Sequence, residues 1–228
     1  SLHKMHILTY LSASELEPSP ISHTERRDTL LQIFFMHISA TGLHTLCPHY
    51  SERKYCDGWD GMRCNEQSQN LVEIIFDKFH NQSSFGTFHI EYLPPTVETL
   101  FITRSLQTFT LRTRHLPRSV VGMSFAYNMI VGSLDLTVLP PQLERCNFSE
   151  NLLTGPIVLI NLPKNLRHLY VHSNRIKQHT VFYEKLPDSV VVIQVMDFRR
   201  LDKIREVRAL DPEHAVQNKG IFASVKVS

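Results

Sequence analysis

The stretch Leu139-Pro140-Pro141-Gln142-Leu143-Glu144-Arg145-Cys146-Asn147-Phe148-Ser149-Glu150-Asn151-Leu152-Leu153-Thr154-Gly155-Pro156-Ile157-Val158-Leu159 decides the fold, because each of its apolar positions recurs in the flanking sequence. Leu-Pro pairs begin at Leu93, Leu116, Leu139, Leu162 and Leu186, with three gaps of 23 residues and one of 24. A fixed period in this range marks a stacked solenoid, whose repeats hide their apolar faces only against one another. Aligned on those pairs, the first inward column is Val97, Val120, Leu143, Leu166 and Val190. The second is Leu100, Met123, Cys146, Leu169 and Ile193, and the third is Ile102, Phe125, Phe148, Val171 and Val195. Columns two and three alternate with other residues, which predicts one short strand per repeat, buried on one face. Each strand then pairs with its copy one repeat away, giving a parallel sheet along the solenoid.

Asn128, Asn151 and Asn174 form a further column where each strand ends. A turn there leaves backbone groups unpaired inside the stack, and an amide can both donate to and accept from them. A structural ladder of these three side chains is therefore expected. Beyond it a second alternation recurs, in Gly86-Thr-Phe88-His-Ile90, Gly132-Ser-Leu134-Asp-Leu136 and Gly155-Pro-Ile157-Val-Leu159. The glycine supplies a turn, and the residues after it predict a second extended segment on the outer side. The Pro that follows each Leu fixes φ and donates no hydrogen bond, which suits the corner leading back to the inner strand. No repeat offers ten helix-forming residues, so the coils are expected to be β and irregular. The pattern decays at both ends. Ser105 stands for Asn and Phe109 for Gly in the first repeat, and Phe198 stands for Asn in the fifth.

Spaced leucines, an inner strand, Asn and Gly-x-Ile/Leu-x-Leu together resemble the leucine-rich repeat family over residues 71–210. Gly132-Ser-Leu-Asp-Leu-Thr-Val-Leu-Pro-Pro-Gln-Leu143 looks in particular like the leucine-rich repeat proteins of kinetoplastid protozoa. The resemblance implies a horseshoe-like α/β solenoid, mostly β here, with a short parallel inner sheet and capped ends.

Flanking segments should close those ends. Residues 1–20, with Pro18 and Pro20, read as a leader or linker, and residues 21–70 as an N-terminal helical cap. In the cap, Ser22-His-Thr-Glu25 is a capping box leading into a helix with Leu30, Leu31, Ile33, Phe34, Phe35 and Ile38, and Gly42 reads as its stop. Cys56-Asp-Gly-Trp59-Asp-Gly61-Met-Arg-Cys64 follows, and this order of helix and Cys/Trp/Gly turn resembles the plant-type N-terminal cap of surface leucine-rich repeat proteins. That resemblance implies a Cys56–Cys64 disulfide and a Trp59 packed on the first coil, although these cysteines stand one residue further apart than is usual there. A bridge points to an oxidising compartment and free thiols to the cytosol. Cys146 is a small core residue, and Cys47 has no obvious partner. In residues 211–228 an N-cap Asp211, Pro212, Glu213 and a Gly220 stop predict a two-turn helix followed by an extended tail.

Composition narrows the function. The 228 residues carry 24 basic and 22 acidic side chains, a mixed balance that speaks against a nucleic-acid face or a polybasic membrane anchor. No run of 18 apolar residues offers a membrane span. The chain opens at Ser1 without a charged-then-apolar leader, as it would with a signal peptide removed or with none. The 13 histidines are scattered, without metal-ligand spacing beside cysteines or carboxylates. His168 and His172 stand about 13 Å apart along a strand, too far to share one ion. No Gly-x-Ser-x-Gly or phosphate-binding glycine loop is present. The expectation is a protein that is not an enzyme and has no cofactor and no metal.

A solenoid's sheet face is then the candidate site. Between the buried columns lie three outward ladders, strongest in Phe101, Arg145, Asn147, His168, Tyr170, His172, Gln194 and Met196. Arg and Tyr anchor interfaces by combining area with directional bonds. The expected function is recognition of a protein or peptide through the concave sheet face, in a secreted or cell-surface protein. An intracellular scaffold subunit is the alternative. Asn81-Gln-Ser83 and Asn147-Phe-Ser149 match the glycosylation acceptor pattern, and a glycan on Asn147 would obstruct the face, so the face requires Asn147 unmodified.

Overall fold

In the computed structural model, which describes residues 22–51, 54–81, 83–196, 203–223 and 226–227, the chain winds into a mostly β solenoid. The expectations for residues 1–20 and for Phe198 lie outside the described residues. Two parallel sheets run along the solenoid. The larger has seven strands, ordered in space Val192–Gln194, His168–Tyr170, Arg145–Asn147, Gly122–Ser124, Thr99–Thr103, Leu71–Asp77 and Met62–Cys64, and only the last pair is antiparallel. Register follows the sequence columns: Leu100 faces Met123, which faces Cys146, then Leu169 and Ile193. Every member of the three inward columns is buried. Burial of each such side chain contributes about 1.5–3 kcal/mol, so the columns account for the stacking.

The corners repeat as regularly as the strands. The carbonyls of Pro94, Pro117, Pro140, Pro163 and Pro187 accept the amides of Val97, Val120, Leu143, Leu166 and Val190 at 2.9–3.3 Å. Proline lacks an N–H but keeps its carbonyl, and each corner uses what remains. At the other end of each strand Arg104, Tyr127, Glu150 and Ser173 take φ of 49°, 58°, 55° and 57°, again 23 residues apart. This left-handed conformation costs a non-glycine residue about 1–2 kcal/mol. The next residue in each coil offsets that cost by hydrogen bonding. Ser105 accepts the Phe79 amide, and the Asn128, Asn151 and Asn174 amides reach between turns, each donating to three carbonyls at 2.8–3.3 Å.

The outer side departs from the expected extended segments. The first three coils carry 3-10 turns there, at Ile90–Tyr92, Thr113–His115 and Leu136–Val138. A parallel four-stranded sheet then takes over, built from Val158–Leu159, Thr180–Tyr183, Glu206–Ala209 and Lys226–Val227. In the third coil the Asp135 carboxylate caps the Thr137 amide at 3.0 Å and tightens the turn, whereas the fourth has Ile157, Val158 and Ile160, all β-branched, in the run Ile157-Val158-Leu159-Ile160.

Both ends correct the helix expectations. The first helix, His23–Phe34, is closed by its Ser22/Glu25 capping box, but it stops before Ile38. Ile38 enters a two-residue strand, His37–Ile38, antiparallel to Gly86–Thr87. Gly42 is not a stop: it lies inside a second helix, Ala40–Leu46, because a Cβ there would sit 2.7 Å from Phe85 Cβ and 2.9 Å from Ile38 Cγ2. The glycine is a packing requirement. Gly86 takes φ 118°, and a Cβ on it would fall 1.9 Å from the His37 carbonyl oxygen. At the far end, Asp211 caps a 3-10 turn, Pro212–His214, and a second such turn spans Lys219–Ile221, in place of the expected two-turn helix. The segment is too short to nucleate an α-helix without an apolar face to bury. Phe222 instead plugs the last coil, buried against Tyr183.

Cys56 and Cys64 are joined in a disulfide, with Cα atoms 5.5 Å apart. Arg27, almost fully buried, bonds Asp28 at 2.6 Å and reaches the Cys56 sulfur and the Gln69 carbonyl, so one cation ties the helix to the bridged turn. Trp59 is buried against Phe35 and Tyr55, with ring centroids 5.1 and 4.8 Å away, and Phe35 in turn meets Phe76 and Phe88 of the first coil. Cys47 and Cys146 are buried free thiols.

Candidate functional site

Pairing across the large sheet sets the residues between the buried columns in rows on its open face. One row runs Glu73, Thr99, Gly122, Arg145, His168 and Val192. The next runs Ile75, Phe101, Ser124, Asn147, Tyr170 and Gln194. Strand parity places all of them outward. Glu73, Ile75 and Asp77 extend the face by one coil that the sequence ladders did not include, because the Leu71–Asp77 strand precedes the first Leu-Pro pair. Their signal was present, since Leu71, Ile74 and Phe76 are its apolar face. Ile75 is 41% exposed, which a solvated core strand would avoid.

The predicted residues do not behave alike. Arg145 is exposed, while Phe101, Asn147, His168, Tyr170, His172, Gln194 and Met196 are half-buried. His168 and Tyr170 rings lie nearly parallel at 6.5 Å, and Tyr170 meets His172 edge-on at 6.4 Å, forming one aromatic row along the fifth coil. The His168 Nδ1 atom is buried without a hydrogen-bond partner. Asn147 leans along its own strand: its carbonyl oxygen accepts the Ser149 amide at 2.9 Å and hydroxyl at 2.6 Å, which leaves its NH2 for a partner. The third outward ladder of the sequence, Thr103, Ala126, Ser149, His172 and Met196, is poorer than expected, because Ala126 and Ser149 in it are buried. Gln194 leans along its own strand, donating weakly to the Met196 carbonyl at 3.4 Å.

Side-chain size gives the face relief. Gly122 and Ser124 are small, and the Phe101 ring leans over Gly122, 3.7 Å from where a Cβ would be. Between Phe101 on one side and His168 and Tyr170 on the other lies a shallow depression of about 290 Å³, floored by Ser124, Asn147 and the edges of Met123 and Cys146, with Arg145 on its wall. A second, of about 350 Å³, is lined by Glu144, Arg145, Arg167 and His168. Arg145 and His168 therefore stand between two hollows. A larger hollow of about 690 Å³ opens elsewhere, on the outer side of the first coils, between Thr87, His89, Tyr92, Phe109 and His115.

At the edge of the face the Thr103 hydroxyl and Arg104 hold the Asp77 carboxyl below the usual carboxylate range. Burial pushes the Cys146 thiol up, so this cysteine beneath the depression is an inert floor. Among the described residues no three His, Cys, Asp or Glu side chains come together to hold a metal ion, and no helix is long and apolar enough to cross a membrane. Two polar residues outside the predicted set hold the coils beside the Asn column. Buried Gln107 accepts the Phe88 amide at 2.9 Å and donates to the Gly86 and Ser105 carbonyls, and Gln178 brackets Ile157 in the same way. Gln107 interrupts the buried column of Ile130, Leu153 and Ile176, and Gln178 the glycine column of Gly132 and Gly155, so each showed in sequence only as a break in a pattern.

No family model matches the chain, and no curated protein matches it. Among solved structures it is similar to a plant ice-binding protein, at 13% identity over 80% of this chain and 69% of that one, with a TM-score of 0.49. It is also similar to a chain of the BIR3–SERK2 complex from Arabidopsis thaliana, at 16% identity over 78% of this chain and 93% of that one, with a TM-score of 0.48. This chain's own register and burial define the solenoid.

Proposed function

We propose that this protein is a non-catalytic recognition module of the leucine-rich repeat type, akin to the kinetoplastid surface proteins with a plant-type cap, that takes a protein or peptide partner on the open face of its large sheet. The observation that carries the proposal is the depression between Phe101 and the His168/Tyr170 pair, with Arg145 on its wall. Aromatic walls offer contact area and Arg145 offers directional donors. Few other places on the face combine exposed aromatic and charged groups, and such groups dominate the energetics of interfaces. The Cys56–Cys64 bridge supports a secreted or cell-surface location, because disulfides persist in oxidising compartments.

The face tests directly. The double substitution His168→Ala with Tyr170→Ala removes one wall of the depression while leaving the buried columns intact. Cross-linked affinity capture from the native source should then lose the partner recovered with the unsubstituted protein. Equal recovery by both proteins removes this face from consideration.

A further inference from the structure

The flank that follows the Asn column changes character along the solenoid. In the coils that begin at Leu93, Leu116 and Leu139 its outward residues are Thr108 and Thr110, Met129 and Val131, and Thr154. In the last two they are Arg175, Lys177 and His179, then Lys203 and Arg205, all five exposed. Backbone pairing sets these two cationic rows side by side: the Lys203 amide donates to the Ile176 carbonyl at 3.2 Å and the Arg205 amide to the His179 carbonyl at 2.8 Å. Between the rows runs an open groove of about 460 Å³ lined by Lys177, Gln178, His179, Lys203 and Arg205. Gln178 has both ends of its amide committed to backbone, so the groove's remaining polar groups are the cations Lys177, Lys203 and Arg205 and the His179 imidazole, whose Nδ1 meets the Thr180 hydroxyl at 3.2 Å. Among the described residues no carboxylate forms an ion pair with any of the five basic side chains. The nearby Glu206 is buried and bonded to Arg208 and Thr180.

Like charges gathered on adjacent coils without a countercharge among the described residues repel one another, so an anionic ligand that fills the groove gains their field. We propose that this groove binds a linear sulfated polysaccharide. Its lining favours that polymer over the other polyanions. No Phe, Tyr or Trp lines it, so the His179 imidazole is the one ring in its lining on which a base could stack. No apolar side chain lines it, which denies an anchor to an acidic protein and a wedge to a bilayer. What remains is two rows of donors, about 4.8 Å apart across the coils and about 6.6 Å apart along each coil, matched to repeated anions rather than to one shape. The site is separate from the sheet face proposed for a protein partner.

The test is binding of a fluorescent heparin dodecasaccharide and of its chemically desulfated form. Phosphatidylserine vesicles and a single-stranded oligonucleotide serve as rival polyanions. The sulfated probe should bind, and the desulfated probe should not. Lys177→Ala/Lys203→Ala/Arg205→Ala should weaken binding and lower the slope of log K against log salt by about two, since three charge contacts are lost at roughly 0.7 each. Arg114→Ala/Lys164→Ala/Lys185→Ala removes equal charge from other exposed positions and should leave affinity within about threefold, the residue of long-range attraction that salt screens. The His168→Ala/Tyr170→Ala protein should bind the polysaccharide as well as the unsubstituted one, so loss of the face proposal leaves this one standing. Equal losses in the two triple variants, equal binding of the desulfated probe, or tighter binding of vesicles or oligonucleotide would each overturn the assignment. Circular dichroism confirms that the variants are folded.

Discussion

Asn128 and Asn151 occupy equivalent places in adjacent coils, yet substituting them with alanine should not cost the same. In Asn151→Ala three donated bonds vanish, but each carbonyl they served keeps another partner. Phe125 O retains the Asn128 amide at 3.0 Å, Phe148 O retains the Asn174 amide at 3.0 Å, and Ser149 O retains the Tyr127 N–H at 3.2 Å. On the accepting side one donor, the Ile130 N–H, is orphaned. One buried orphan costs about 1–3 kcal/mol. In Asn128→Ala two donors are orphaned, the Ser105 and Gln107 N–H groups, both inside the stack. The expected loss is therefore about 1–3 kcal/mol for Asn151→Ala and about twice that for Asn128→Ala. Urea denaturation followed by far-ultraviolet circular dichroism measures both, with the midpoints compared at a shared m-value. Equal midpoints for the two variants, or a smaller loss at Asn128, would refute the argument that orphaned donors set the cost.

Two further outcomes follow from the thiols and from Tyr55. Of the four cysteines two are bridged and two are buried and free, so intact mass should show no rapid alkylation of the native protein, two additions after denaturation and four after reduction. Four additions to the denatured, unreduced protein would exclude the bridge. Burial, helped by Asp28, pushes the Tyr55 phenol up to about 12. The fold favours its neutral form, so this contribution is whole below about pH 10 and is lost as pH rises through about 12. Tyr55→Phe should make the fall of the thermal midpoint shallower between those pH values, and an unchanged slope would count against the burial argument.

How much of this was legible depends on whether a residue's role repeats. The inward columns, the Asn column and the Leu-Pro corners could be read in sequence because each performs one job in every coil, and repetition makes the job visible. The sheet-face residues were legible as positions, since parity along a strand decides which way a side chain points. Their character was less so. Asn147 looked free and is half committed to Ser149, while Ala126 and Ser149 looked outward and are buried. The left-handed residues Arg104, Tyr127, Glu150 and Ser173 were invisible, because none is the glycine or asparagine that such a conformation ordinarily selects. Gly42 misled for the opposite reason. A glycine near a helix end reads as a stop, and only the neighbouring Phe85 and Ile38 show that it is there for lack of a Cβ.

The sequence by itself determined the period, the residues that face inward and the register in which coils stack, because a solenoid's contacts are with its nearest repeats and those contacts lie at one fixed separation. Only the tertiary structure decided what depends on residues far apart in that count. Arg27 meets the bridged cysteine turn 29 positions away, and His37 reaches His89 across 52. The basic residues, scattered along a chain of nearly balanced charge, gather on one flank in the last two coils. Coiling brings together side chains one period apart, so it converts a periodic distribution of charge, too dilute to notice along the chain, into a surface.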